Sequence, residues 1–390
     1  MPRDRVLTLI LAGGKGSRLE VLTARRAKPA TPFAGVYRLI DFPLSNCLHS
    51  ELSDVWVIEQ YEPHSLNEHL ANGRPWDLDR TYGGLQVLPP YESREENGEG
   101  GFAEGNADAI YRHLSRIREF DPDVLLVLSA DHVYKLDYRD VIDRHLERRA
   151  GVTLVTTRVP REKAGRFGVV EVDGGRVTGF EYKPESPKSG LVTTEVFVYD
   201  ARLLLDTLDR LADTSLKDFG HELLPRLVEE GKAHEFRLDG YWRDVGTIES
   251  YWQGHRDLLE PEPGLVLDDP EWPILTYGTQ LLPARIEGSA RIEGSLISPG
   301  CRIAGRVERS VLGPGVVIEE GAVVRDSILL REVAVEREAS VDRAILDTGV
   351  RVGAGATVGE RDAGLALAGQ RVEIRAGSRV PPGARIEPPE

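Results

Sequence analysis

The stretch Val311–Val341 reads V-L-G-P-G-V-V-I-E-E-G-A-V-V-R-D-S-I-L-L-R-E-V-A-V-E-R-E-A-S-V. An aliphatic residue recurs at every sixth position: Val311, Val317, Val323, Leu329, Val335 and Val341. Neither the helical period of 3.6 nor the strand period of two produces this series. It predicts a left-handed parallel β-helix of hexapeptide repeats, in which each aliphatic side chain stacks on its equivalents in neighbouring coils. The pattern reaches back through Ile286 and Ile292, then Ile297 and Ile303. After one phase slip it resumes at Leu346, Val352 and Val358, and again at Ile374, Val380 and Ile386. An ordinary β-sandwich would instead show period two with variable turn spacing.

Upstream of Glu260-Pro-Glu-Pro-Gly264 the pattern is different. Short apolar runs at Val6–Leu11, Asp54–Ile58 and Val124–Ser129 suit strands buried on both faces of a sheet. Between and after them, Asn106–Phe120 and Tyr138–Arg149 carry apolar residues at helical spacing. This alternation predicts a doubly wound α/β domain with a mainly parallel sheet, whose ligands lie beyond the carboxyl ends of the strands. The expected division is residues 1–258 for that domain, 259–283 for a linker and 284–390 for the β-helix. Glu92–Glu104, rich in Gly and Glu, reads as a mobile loop.

With 390 residues, 41% of them hydrophobic and 29% charged, the chain has enough apolar surface for two cores. A net charge of −15 argues against a nucleic-acid partner. No apolar run reaches membrane-spanning length, and the opening run is too short for a secretory signal. Two distant cysteines, Cys47 and Cys301, make no disulfide framework, so the expected location is the cytoplasm. Charge is locally inverted over residues 1–40, with eight basic side chains (Arg3, Arg5, Lys15, Arg18, Arg25, Arg26, Lys28, Arg38) against Asp4 and Glu20. Such a segment in an acidic chain points to an anion site. Lysine is scarce, eight against 41 arginines, yet Lys15, Lys28 and Lys183 all fall inside motifs.

The first strand runs into Gly13-Gly14-Lys15-Gly16 and then Arg18-Leu19. Glycines allow backbone N–H groups to approach an anion closely, and the cations add charge. The spacing matches neither a Walker A loop nor the dinucleotide fingerprint. By itself the turn could be purely structural.

Leu11–Leu19, Arg26-Ala-Lys28-Pro29 and Arg38-Leu-Ile-Asp-Phe-Pro-Leu-Ser-Asn-Cys47 together closely resemble the start of the ADP-glucose pyrophosphorylases, or glucose-1-phosphate adenylyltransferases. The resemblance continues through Gly105–Ala109, Ser129–Tyr134, Phe167–Val169, Lys183-Pro184 and Tyr241–Thr247, and that family also carries a C-terminal β-helix. It implies adenylyl transfer from ATP to glucose 1-phosphate with Mg2+, in a protein that is commonly a homotetramer, with effectors between its domains. Asp131 follows a buried strand, so its carboxylate belongs at the sheet's carboxyl edge; the resemblance assigns Asp131 and Asp244 to the metal. A helix N-cap is the alternative role for Asp131. Leu11, Ala12, Gly13, Gly14, Gly16, Gly105 and Asn106 would then contact the nucleotide. Lys15 and Arg18 would neutralise the β- and γ-phosphates. Lys183 would hold the sugar phosphate, and Arg25, Arg26, Lys28 and Arg38 would meet the polyphosphate or an effector. A sugar phosphate oxygen is already ionised and needs no side-chain base, so His132 is assigned to packing and hydrogen bonding.

Around the sugar, the resemblance places Ala103, Gly168, Tyr182, Lys183, Thr193 and Glu195, and here the chain departs from the family. A usual Trp-Tyr is Phe102-Ala103, a usual Glu-Lys-Pro is Tyr182-Lys183-Pro184, a usual Ser-Met-Gly is Thr193-Thr194-Glu195, and the usual Thr after Gly105 is Asn106. Loss of one hydrogen-bonding group costs on the order of 1–3 kcal/mol, enough to alter sugar preference without abolishing the reaction class. Three alternatives follow: another sugar or base, a fused acyltransferase, or a non-catalytic regulatory subunit. Histidines end at His255, which leaves the β-helix without an acyltransfer base. Retention of Lys15, Arg18, Asp131, Lys183 and Asp244 speaks against the regulatory subunit.

Overall fold

The computed structural model describes residues 4–14, 16–89, 105–211, 220–278 and 280–389. Lys15, Ala103 and the Glu92–Glu104 loop lie outside the described residues. Contacts divide the chain into two compact units, one of residues 1–14 and 42–244, the other of 15–41 and 245–390. The hexapeptide pattern begins after residue 280, but compactness also assigns to the second unit the cation-rich segment 15–41 and the helix Ile248–Asp257.

The first unit is built on a nine-stranded sheet. Its strands run in the order Gly84–Leu88, Asp54–Glu59, Val6–Ala12, Val124–Ser129, Leu191–Asp200, Val152–Arg158, Ala233–Arg237, Arg176–Tyr182 and Gly168–Asp173. Only Leu191–Asp200 and Arg176–Tyr182 run against the others, so the sheet is mainly parallel as expected. Leu7, Leu9, Leu125, Val127, Leu154 and Phe197 bury one face against the helices Asn106–Tyr111, Leu114–Phe120, Ala201–Leu211 and Leu223–Glu229. Thr153, adjacent to Leu154 and so on the opposite face, meets His145 of the helix Tyr138–Arg148 through a 3.0 Å hydrogen bond. Both faces are covered, which is why the strands read as unbroken apolar runs.

Beyond Ser129 the chain turns into a short strand, His132–Tyr134, paired antiparallel with Trp242–Asp244. Asp131 therefore caps no helix; the next helix, Tyr138–Arg148, is capped by Asp137, whose side chain accepts from Arg139 N–H.

The second unit contains three six-stranded parallel sheets, the walls of a left-handed β-helix. The register shifts part of the expected series by one residue. Leu312, Ile318 and Val324 point into the core, while Val317 and Val323 are only half-buried. The interior series runs 312, 318, 324, then 329, 335, 341, then 346, 352, 358. Leu312 pairs with Leu329 and Leu329 with Leu346, so these two central coils take 17 residues each, as steps of six, six and five. The third corner is one residue tighter in these coils, and double-aliphatic positions such as Val317-Ile318 hide this from a strict period of six.

Val311, Ile328 and Ile345 point outward from the third wall, yet are 1%, 3% and 0% exposed. Segment 16–41 and the helix Ile248–Asp257 lie along that wall. Trp252 donates to the Asp326 carbonyl at 3.2 Å, and a Cβ on Gly35 would strike Ser298 Oγ at 2.3 Å. Tyr251 donates to the Pro32 carbonyl at 2.6 Å, and the Ala34 amide donates to His255 Nε2 at 3.0 Å. Cys47 and Cys301 are both free and buried.

Candidate active site

The strand Val124–Ser129 delivers Asp131 at its carboxyl end, and the two-stranded ribbon delivers Asp244 directly opposite His132. Ligand atoms of Asp131, His132 and Asp244 all lie within 4.8 Å of one another. Ser129 Oγ hydrogen-bonds Asp131 Oδ1, which orients the carboxylate. Oxygen donors from two carboxylates suit a hard divalent cation, and the residues fit one.

His132 occupies the centre of this group. Its Nε2 lies 3.8 Å from Asp131 Oδ1, 3.7 Å from Asp244 Oδ1 and 3.9 Å from Glu195 Oε2. Its Nδ1 lies 2.9 Å from the Thr194 carbonyl. Burial disfavours the imidazolium, but Asp131, Glu195, Asp244 and the Thr194 carbonyl together outweigh it, and the histidine titrates above its ordinary value.

Glu195 arrives through a bulge. The pairing of Leu191–Asp200 with Val152–Arg158 slips between Thr193 and Phe197, and Glu195 adopts a φ of 56° there. A left-handed backbone is costly for a residue with a Cβ, so the bulge holds Glu195 under local strain. Glu195 lines a small cleft with Leu11, Asn106, Val127, Leu128, Ser129 and Phe197. This joins Leu11 and Asn106, expected at the nucleotide, to Glu195, expected at the sugar.

Around the cleft the glycines differ in purpose. A Cβ on Gly13 would meet the Gln60 side chain at 2.8 Å, whereas one on Gly14 would meet nothing within 4 Å among the described residues. Gly13 therefore serves packing, and Gly14 leaves open space beside its backbone. Gly168 packs beneath Phe180 and Thr193 Oγ1, at 2.7 and 3.0 Å from where its Cβ would stand. Lys183 also has a left-handed backbone, with φ 47°. Its Nζ donates to Tyr182 Oη at 2.7 Å, and the Tyr182 ring packs edge-on against His221 at 4.7 Å.

Two family models match the chain: nucleotidyl transferase over residues 7–261, and the GlmU-like C-terminal hexapeptide over 281–365. The glucose-1-phosphate adenylyltransferase of Pseudothermotoga lettingae is 45% identical over 320 residues, covering 81% of this chain and 75% of that protein. The enzyme of that name from Thermotoga neapolitana is 46% identical over 318 residues, 80% of this chain and 74% of the relative. That of Clostridium acetobutylicum is 42% identical over 322 residues, 82% and 84% of the two chains. The chain belongs to the glucose-1-phosphate adenylyltransferase family.

The remaining cations expected of an adenylyltransferase site lie in the second unit. Gly16 takes a φ of 67°, and its carbonyl accepts from Leu19 N–H at 2.8 Å and from Thr23 Oγ1 at 2.9 Å, opening the turn that exposes Arg18. Arg25 donates to the Pro389 carbonyl. Arg38 donates to the Ala30 carbonyl at 2.6 Å, and Lys28 is buried. Arg26 is sealed in: it is 6% exposed and bonded at 2.8 Å to Asp347, which is 0% exposed. Asp347 was not foreseen, because an aspartate in a β-helix coil gives no signal of a partner 321 residues away. The central place of His132 was missed too; its position directly after Asp131 was the available clue.

Proposed function

We propose that this adenylyltransferase-family chain joins ATP and glucose 1-phosphate to give ADP-glucose and pyrophosphate, with Mg2+ held by Asp131 and Asp244. The supporting observation is the convergence of those two carboxylates at the carboxyl end of a central strand, beside a cleft lined by Asn106 and Glu195. A bound divalent ion would supply Lewis-acid neutralisation of the α-phosphate and of departing pyrophosphate. Lys15 and Arg18 neutralise the β- and γ-phosphates, and backbone groups of Leu11, Ala12, Gly13, Gly14, Gly16 and Gly105, with Asn106, receive the nucleotide. Lys183 grips the sugar phosphate, whose ionised oxygen attacks the α-phosphorus in line as the bond to the bridging oxygen breaks. Ala103, Gly168, Tyr182, Thr193 and Glu195 surround the sugar. Arg25, Lys28 and Arg38 meet the polyphosphate or an effector; Arg26 does so only by exchanging Asp347.

The domain assignment follows the same reading, with nucleotidyl transfer in 1–258, a linker at 259–283 and the β-helix at 284–390; the matched family ranges support it. A homotetramer suits the first coil, where Leu282, Ile286 and Ile292 are exposed apolar groups of the kind an assembly covers. No helix among the described residues is long and apolar enough to cross a membrane. A cytoplasmic enzyme supplying ADP-glucose to glycogen and related α-glucan synthesis fits these features.

Glu195 favours a second reading, a different sugar 1-phosphate, since it brings a carboxylate to the place of a family glycine. Pyrophosphate release measured for each nucleoside triphosphate against a panel of sugar 1-phosphates separates the readings. ATP with glucose 1-phosphate is expected to turn over fastest, and Asp131→Asn to lower that rate by about a thousandfold or more. No release with any pair would sink the catalytic reading in favour of a regulatory subunit.

A further inference from the structure

We propose that His132 is itself a ligand of the bound cation, through Nε2, and that this nitrogen raises the site's affinity for first-row transition metals relative to Mg2+. The inference rests on the reading that Asp131 and Asp244 hold a cation.

The tautomer carries the argument. A backbone carbonyl only accepts, so the 2.9 Å contact of Nδ1 with Thr194 oxygen places a proton on Nδ1. In the neutral ring, Nε2 then carries the lone pair, and it lies within 4 Å of all three carboxylates. The side chain is 3% exposed, and among the described residues Nε2 makes no hydrogen bond. Its distances of 3.8, 3.7 and 3.9 Å to Asp131, Asp244 and Glu195 oxygens are too long for hydrogen bonds. They are shorter than about 4.2 Å, the greatest separation of two ligands each about 2.1 Å from one cation. Each of these Nε2–oxygen pairs can therefore be bridged by one cation, taking the place a proton would have on Nε2.

The surroundings hold the ring in that attitude. Trp242 packs edge-on against it at 5.3 Å and 89°, and Phe167 braces Trp242 at 5.2 Å. The bulge between Thr193 and Phe197 turns the Thr194 carbonyl to Nδ1. Metal-bound imidazoles are characteristically oriented by such a carbonyl on the other ring nitrogen. Mg2+ takes oxygen ligands by preference, whereas imidazole nitrogen strengthens binding along the series from Mn2+ to Co2+ and Ni2+.

The full chain loaded with Mn2+, with and without ATP and without sugar phosphate, tests this by electron spin-echo modulation. Directly bound imidazole nitrogen is expected in the wild type and lost in His132→Phe, which keeps a ring against Trp242. Co2+ affinity by calorimetry is expected to fall about tenfold or more in that variant, with Mg2+ affinity falling less. Mn2+ bound without a nitrogen signal overturns the inference while leaving the carboxylate site standing. No Mn2+ binding in either condition overturns the carboxylate site as well. The wild-type spectrum decides the matter even if His132→Phe fails to fold.

Discussion

Two charged clusters are assembled here from residues far apart in sequence, and they are built in opposite ways. In the first unit, Asp131, Asp244 and Glu195 converge on one imidazole and keep 16%, 16% and 40% of their side chains exposed. In the second, Arg26 and Asp347 meet as opposite charges and are closed off from water. Like charges gathered beside a cleft are tolerated because something else is to arrive there. Opposite charges sealed in a core hold two segments together, though their desolvation cost offsets much of the attraction. Under the proposed function, the difference separates binding machinery from scaffold more clearly than residue type does, since both clusters draw on residues in family-like motifs or on ordinary aspartates.

The sharpest way to break this contrast is to exchange the consequences of two aspartates. Asp131→Asn should lose about a thousandfold or more in pyrophosphate release while its unfolding midpoint stays near that of the wild type. Asp347→Ala should do the reverse, costing about 3–5 kcal/mol in equilibrium unfolding because a buried guanidinium is left without its partner. Replacing both members, Arg26→Met with Asp347→Leu, should recover most of that loss; failure to recover would show that the pair is more than scaffold.

Glu59 sharpens the comparison as a buried charge of a third kind, a single carboxyl with no cation paired to it among the described residues. It is 1% exposed beside Ala12, its Oε1 has no hydrogen-bond partner among the described residues, and Asn67 donates to Oε2 at 2.9 Å. Burial pushes its pKa up from 4.5 to about 7, against the lowering effect of Asn67. The folded state thus holds the proton more tightly. The stabilisation is complete below about pH 4.5 and is lost as pH rises through 7. Glu59→Gln should remove that decline and be the more stable at pH 8, by up to about 3 kcal/mol. Equal slopes of unfolding free energy against pH for the two proteins would refute it.

The smallest effect is expected at Glu195. Glu195→Gly relieves the left-handed backbone and should stabilise the fold by about 1 kcal/mol. The same change should raise KM for the sugar phosphate and leave KM for ATP alone. A loss of stability instead would mean that the carboxylate, not the backbone, governs that position.

Much of this was legible in the chain itself. Apolar runs and helical spacing foretold the strands and helices of the first unit, because burial on both faces of a parallel sheet imposes a composition that a reader can see. Asp131 could be placed at a strand end for the same reason. The coil period was legible to within one residue: at Val317-Ile318 and Val323-Val324 either neighbour fits a hydrophobic interior, and only the register chooses. His132 was read as packing, since nothing in a sequence tells which ring nitrogen meets a carbonyl. Segment 16–41 finds its buried partners Asp347, Tyr251 and His255 more than 200 residues further along the chain, and no local pattern signals such pairings.

By itself the sequence determined the two architectures, the family and the residue types available for phosphate and metal. Each depends on local periodicity or on a contiguous motif. The tertiary structure decided which aspartates gather around His132 and which pairs with a buried arginine, and that Glu195 stands at a strained bulge. Those outcomes depend on pairings across more than 35 residues and on backbone angles. A long-range pairing leaves no mark on either partner's neighbours in the chain.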